Sequence, residues 1–164
     1  IYNSLIFFYA TIIYMVKNTR KNNKSTRAKN SRKQNPQKGN FKKEIVSMFL
    51  KMLNTTKLYH WRTYSYATHE ATDSLYADLN KYIDEFVEVM MGKMDNRNKI
   101  LNINLVKMNV PNNNNDFKKE IEYYKKFLIE LDPHLKSKGN SDLLNIRDEI
   151  LASLNKLLYL MTLK

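Results

Sequence analysis

Two long stripes of apolar residues, each with helical period, meet at one short break in this chain. Ile45, Met48, Phe49, Met52, Leu53 and Tyr59 form the first, and Leu75, Leu79, Ile83, Phe86 and Met90 form the second. A strand turns successive side chains to opposite faces, so steps of three and four residues exclude it. The stripes predict one helix from about residue 41 to about residue 61, and another from about residue 66 to about residue 91, with Gly92 as terminator. A third helix is expected over residues 117–131, N-capped by Asp116 and stopped by Asp132-Pro133. A fourth starts near Ser141, read as its N-cap, and runs through Leu143, Ile146, Ile150, Leu154, Leu157 and Met161. Residues 99–110 fit an extended strap or a short helix, and Pro111 followed by four Asn residues is a break. With 3 Gly and 3 Pro the chain is too poor in turn formers for a β sandwich or a Gly-rich phosphate loop. The absence of Cys removes disulfides, thiolate nucleophiles and thiolate metal sites. The fold expected is all-α, an antiparallel four-helix bundle with one long central connection, over residues 41–164.

Charge is segregated along the chain. Lys17, Arg20, Lys21, Lys24, Arg27, Lys29, Arg32, Lys33, Lys38, Lys42 and Lys43 follow one another with no acid between them. That window holds 11 of the 28 basic residues, so 17 remain against 16 acids and the rest of the chain is nearly neutral. Residues 15–40 carry too little apolar surface to offset ordering entropy, which predicts a disordered basic arm. Such an arm attracts DNA or RNA phosphates without reading sequence, through Lys17, Arg20, Lys21, Lys24, Arg27, Lys29, Arg32, Lys33 and Lys38. No aromatic interleaves the charges, so base stacking is not indicated. A solubilising or localising tail is the plainer reading. Residues 1–14 are apolar and aromatic, without a positive n-region, and shorter than the ~20 residues that span a bilayer. The leading expectation is upstream-translated sequence before a start at Met15; the rival is a short membrane anchor flanked by the arm. Stable membrane insertion is not expected.

Candidate chemistry lies on the second helix and at the end of the first. At about 100° per residue, His69, Asp73, Asn80 and Asp84 share one narrow strip beside the apolar face, with Glu88 at its margin. His69 and Asp73 are four apart, as are Asp84 and Glu88, so each pair can address one ion. His60 precedes the turn between the helices and sits next to Trp61, the only Trp. Imidazole with carboxylate suits iron, manganese or zinc and is too nitrogen-rich for calcium. The plainer alternative is a solvated helix face with a packed or capping His60.

The run HWRTYSYATHEATDSLYADLNKYIDEFVE, residues 60–88, resembles the signature of the Dps proteins, mini-ferritins that protect DNA in starved bacteria. That signature has His-Trp at the end of the first helix, then a His followed four residues later by Asp. Another Asp comes fifteen residues after that His, with Glu four further on. His69, Asp73, Asp84 and Glu88 match these spacings. GNSDLLNIRDEILASLNKLLYLM, residues 139–161, is similar to the family's last helix. HW-x-T-x-SYA-x-H and the final LYL-x-TL resemble uncharacterised proteins of large DNA viruses and phages still more closely. The resemblance covers about residues 41–164, with the middle unmatched.

It implies a ferritin-like fold with sites between subunits. His60, His69 and Asp73 of one chain face Asp84 and Glu88 of its two-fold mate, and two iron ions occupy each site, with zinc or manganese as lesser choices. It further implies Fe(II) oxidation by hydrogen peroxide or oxygen, a homo-oligomer from dimer to dodecamer, Trp61 as a trap for oxidising equivalents, and DNA condensation by the arm. For Trp61, and for Tyr59, Tyr64 and Tyr66, packing is the competing role. The alternative ferritin plan puts the irons inside one bundle and needs Glu-x-x-His, which this chain lacks. Two departures stand out: nine residues separate His60 from His69, three fewer than usual in the family, and the turn has no Gly. A second function follows from them, a non-catalytic viral structural or nucleic-acid-packaging protein on the same scaffold. The compartment expected is cytoplasmic, or host cytoplasm and virion.

Overall fold

The computed structural model describes residues 36–94, 96–136 and 139–163, with side chains from residue 41 onward. The described residues are all-α, without a strand. Four long helices are α1 (Pro36–Arg62), α2 (Tyr66–Gly92), α4 (Asn114–Glu130) and α6 (Ser141–Leu160); α3 (Asn98–Leu101) and α5 (Asp132–Leu135) are single turns. Residues 1–14 and the arm up to residue 35 lie outside the described residues, and with them Lys17, Arg20, Lys21, Lys24, Arg27, Lys29, Arg32 and Lys33. The backbone of residues 36–40, Lys38 included, already belongs to α1, so helix begins before the boundary read at residue 41.

Local chemistry explains the helix ends. Ser65 is extended (φ −90°, ψ 120°) and its Oγ accepts from the Thr68 N–H at 3.3 Å, capping α2. The cap of α4 is Asn113, not Asp116: Asn113 Oδ1 accepts from Asp116 N–H at 3.0 Å, and Asn113 Nδ2 donates back to the Asp116 carboxylate at 3.0 Å. The exchange moves the helix start forward to Asn114 and leaves Asp116 in the first turn, where its charge suits the dipole. Asn140, not Ser141, stands at the cap position of α6, just after Gly139, whose φ of 91° only glycine takes without strain. Gly92 is the last helical residue of α2 with no positive φ, so it ends the helix without the left-handed turn expected of a terminal glycine.

Pairs of contacts set the directions. Phe49 meets Phe86 edge-on at 5.1 Å while His60 lies against Thr72, so α1 and α2 are antiparallel. Tyr59 stacks on Phe117 at 4.1 Å while Phe41 meets His134 at 4.1 Å, so α4 runs opposite to α1. Arg147 donates to the Leu128 carbonyl at 2.9 Å while Lys118 Nζ donates to the Met161 carbonyl at 3.3 Å, so α6 is antiparallel to α4. The order is up-down-down-up. Because α2 ends beside Asp142 and α4 starts beside Tyr59, residues 93–113 must travel the length of the helices. Ile100 of α3 is buried and anchors that connection against α1. Residues 102–110 then continue without regular secondary structure, so of the region read as strap or short helix only Asn98–Leu101 is helical.

All four long helices feed one core. Phe49, Met52, Leu79, Phe86, Ile121, Tyr124, Leu128, Ile150 and Leu154 are fully enclosed. Buried Arg147 ties α6 to α4, pairing with Asp132 and, through Nε, with Asp148 at 2.8 Å, while it covers a carbonyl of α4's last turn.

Candidate metal centre

The three-residue link between α1 and α2 brings His60 onto His69, with ring centroids 3.8 Å apart and planes inclined by 27°. Each ring is pinned by the other residue's backbone. His60 Nδ1 lies 3.1 Å from the His69 carbonyl oxygen, and His69 Nδ1 lies 3.2 Å from the His60 carbonyl oxygen. A carbonyl only accepts, so in both neutral rings the proton sits on Nδ1 and the lone pair on Nε2. Thr72 completes the anchor: its hydroxyl donates to the Thr68 and His69 carbonyls, at 2.8 and 2.9 Å, and accepts from His60 Nδ1 at 3.2 Å.

His60 is 6% exposed, and burial pushes its imidazole below the usual value, with the Lys57 and His69 charges adding to the effect. The hydrogen bond to the His69 carbonyl and the Asp73 carboxylate act the other way. His60 Nε2 faces Asp73 Oδ1 at 3.7 Å. Two lone-pair donors therefore confront each other with no proton between them, an arrangement that a cation resolves. Metal-bound imidazoles characteristically donate their other N–H to a carbonyl or carboxylate, as both rings do here.

The structure thus sets His60 against His69 and, separately, opposite Asp73, and leaves Asp84 and Glu88 apart from them. Asp84 is eleven residues beyond Asp73 on the same helix, about 16 Å along the axis. Both acids are exposed, and their side chains have no ion pair or hydrogen bond among the described residues. No three His, Asp or Glu side chains of the described residues sit close enough within one chain to hold a metal ion.

Trp61 is 69% exposed, and Tyr64 and Tyr66 are exposed as well, which corrects the packing roles considered for them; only Tyr59 is in the core. A concavity of about 590 Å³ opens at the α1–α2 turn between Tyr59, Arg62 and residues 112–115, away from the paired imidazoles.

Sequence reasoning missed two participants. Thr72 carries no spacing signal of its own and was not singled out. Lys57, three residues before His60, donates to Asp73 Oδ1 at 3.4 Å and lies over the rings of Tyr76 and Trp61, at 4.7 and 6.0 Å. The tight antiparallel hairpin implied both: a chain that folds back at residues 63–65 sets residue 57 near residue 73 and residue 60 near residue 72.

A family model described as a family of unknown function, DUF5856, matches residues 60–161. The chain belongs to this family. The DUF5856 match opens on His60 and takes in His69, Thr72, Asp73, Asp84 and Glu88 together with all of α2, α4 and α6. No curated protein and no solved structure matches the chain. No helix among the described residues is long and apolar enough to cross a membrane.

Proposed function

We propose that this DUF5856 chain is a Dps-like, ferritin-type protein that binds Fe(II) at a centre shared by two copies and oxidises it. The observation that carries the reading is the reciprocal pinning of His60 and His69, which leaves the lone pair of each neutral ring on Nε2 and sets that of His60 3.7 Å from Asp73 Oδ1. The up-down-down-up order with one crossing connection is the arrangement of ferritin-like folds. Imidazoles hold Fe(II) near neutral pH, and carboxylates favour Fe(III) as it forms.

The register of α2 supports a shared centre. An antiparallel pairing of α2 with a second copy, centred between residues 78 and 79, sets the level of His69 against Glu88 and that of Asp73 against Asp84 at once. Ala77 and Asn80, both exposed, lie at that centre. Each half then supplies two nitrogens and one carboxylate and receives two carboxylates. Peroxide takes two electrons and each Fe(II) gives one, so two ions and two protons are consumed per peroxide as two waters form.

The basic arm would hold DNA or RNA near the assembly, with affinity falling steeply as salt rises. Cytoplasm, or host cytoplasm and virion for a viral chain, is the compartment this reading takes.

The test combines mass and chemistry. Sedimentation should show a dimer or a larger shell, and anaerobic Fe(II) followed by peroxide should develop ferric absorbance that Asp84→Ala and His69→Ala lose. A monomer that takes up no iron ends the proposal. A second reading, a non-catalytic structural or packaging protein, is favoured by one observation: Asp73 is already paired with Lys57. It expects a folded oligomer that binds nucleic acid and leaves Fe(II) in solution.

A further inference from the structure

We propose that the concavity at the α1–α2 turn is a nucleotide site, and that it takes its nucleotide from a single-stranded nucleic acid. His60, His69 and Asp73 are not among the residues that line it, so it stands apart from the metal centre and does not depend on it. Its volume of about 590 Å³ falls within the range of about 300–1,000 Å³ usual for small-molecule sites. Among the described residues that line it, none is acidic and only Arg62 is charged. The Arg62 guanidinium has no ion pair or hydrogen bond among the described residues. Asp116 lies in the first turn of α4, outside the lining; its carboxylate accepts from Asn113 Nδ2 at 3.0 Å and stands 3.8 Å from Lys119 Nζ. An unanswered guanidinium in a concave, acid-free site calls for an anion, and its planar fork matches phosphate. A neutral sugar would leave that charge without a counterpart.

The rest of the lining suits the other parts of a nucleotide. Asn112 and Asn115 offer side-chain amides with no hydrogen bond among the described residues. Such amides address base edges or sugar hydroxyls through both donor and acceptor. Tyr59 is fixed beforehand, its ring stacked on Phe117 at 4.1 Å and its hydroxyl donating to Asn114 Oδ1. Thr63 Oγ1 accepts from the Ser65 N–H at 3.2 Å and holds the turn. Tyr64, also in the lining, is fully exposed at 105%, which leaves its ring open to a base. Trp61 and Tyr66, 69% and 78% exposed and within three residues of Tyr64, lie outside the lining and offer faces to neighbouring bases. A free nucleotide would use one ring, whereas a strand can use all three. In a duplex the bases are already stacked on one another, so open rings favour single strands.

Fluorescence anisotropy of the full chain with a short labelled oligodeoxyadenylate, over a salt series, tests the site; the same oligomer annealed to its complement is the control. The single strand should bind more tightly than the duplex at the high-salt end, where phosphate contacts by the arm weaken. Tyr64→Ala should weaken single-strand binding about 5- to 150-fold, the loss of one stacked base, and leave duplex binding unchanged. Arg62→Ala should lower affinity and reduce the slope of log affinity against log salt by about 0.7, one phosphate contact, while Arg62→Lys keeps the slope. Both side chains are exposed, and circular dichroism checks that the variants fold. AMP bound as tightly as the oligomer in equilibrium dialysis would overturn the strand as the source of the nucleotide, and much weaker AMP binding supports it. Adenosine bound as well as AMP would overturn the role given to Arg62. Folded Tyr64→Ala and Arg62→Ala chains that keep the wild-type affinity, strand preference and salt slope would overturn the site itself.

Discussion

Replacing Thr72 with Val separates a metal-positioning His60 from one that merely packs at a helix end. The substitution keeps the shape of a fully buried side chain and removes one hydroxyl. That hydroxyl's two acceptors keep other donors. The Thr68 and His69 carbonyls remain in the helical ladder, and the His69 carbonyl also retains His60 Nδ1 at 3.1 Å. No buried group is orphaned, so the cost is that of one net hydrogen bond, about 1 kcal/mol. For a unit of this size that lowers Tm by about 2–4 °C. His60, however, loses one of the two partners that orient its ring. Removing an outer-shell partner of a metal-bound imidazole typically weakens metal binding about 10- to 100-fold. Thermal melting and Co2+ titration of the same preparation give both numbers. A small melting shift with a large loss of affinity supports His60 as a ligand held by Thr72. Metal affinity unchanged within experimental error refutes the reasoning, because the ring's orientation would then not matter to the ion.

Other outcomes follow from other parts of the molecule. Arg147→Met should destabilise the fold by about 2–4 kcal/mol in urea unfolding, since it bares the Leu128 carbonyl and leaves Asp132 without its main partner. The partial exposure of Asp132 keeps the figure below that of a fully buried pair. Stability should decline as pH falls through and below about 6.5, the ordinary His value. The unfolded chain takes up a proton there more readily than buried His60 does, and the loss continues until the lower folded pKa is passed. His60→Gln should flatten that part of the pH–melting profile, and an unchanged profile would assign the decline to another group. Deleting residues 15–35 should abolish salt-sensitive binding to duplex DNA in a filter or fluorescence assay, while melting stays as in the full chain. Retained binding would move the nucleic-acid surface onto the helices.

Much of the fold was legible because helical period is a local property. The stripes through Phe49 and Phe86 placed both ends of α2 and the C-terminal end of α1 within a residue, since burying those faces is what makes the helices stable, whereas α1 begins five residues before the expected boundary, ahead of its apolar stripe. Helix ends were less legible where two residues compete for one role. Asn113 displaced Asp116 as the cap of α4 by offering both an acceptor and a donor to the same neighbour. Ser141 was likewise misjudged as the cap of α6, a position that Asn140 takes, because cap geometry depends on backbone angles that composition does not reveal. Trp61, Tyr64 and Tyr66 are large and apolar yet exposed, since a side chain is buried only where some other element arrives to cover it.

The candidate site divides along the same line. Spacing alone put His69 with Asp73 and Asp84 with Glu88, because residues four apart on a helix are neighbours whatever the rest of the chain does. Only the folded hairpin could show that His60 and His69 clasp each other's carbonyls, that Thr72 locks the pair, and that Lys57 reaches the carboxylate first. Those contacts join residues of two different helices. Their distances follow from how closely α1 and α2 pack and how sharply the chain turns between them, and no periodicity within either helix encodes that.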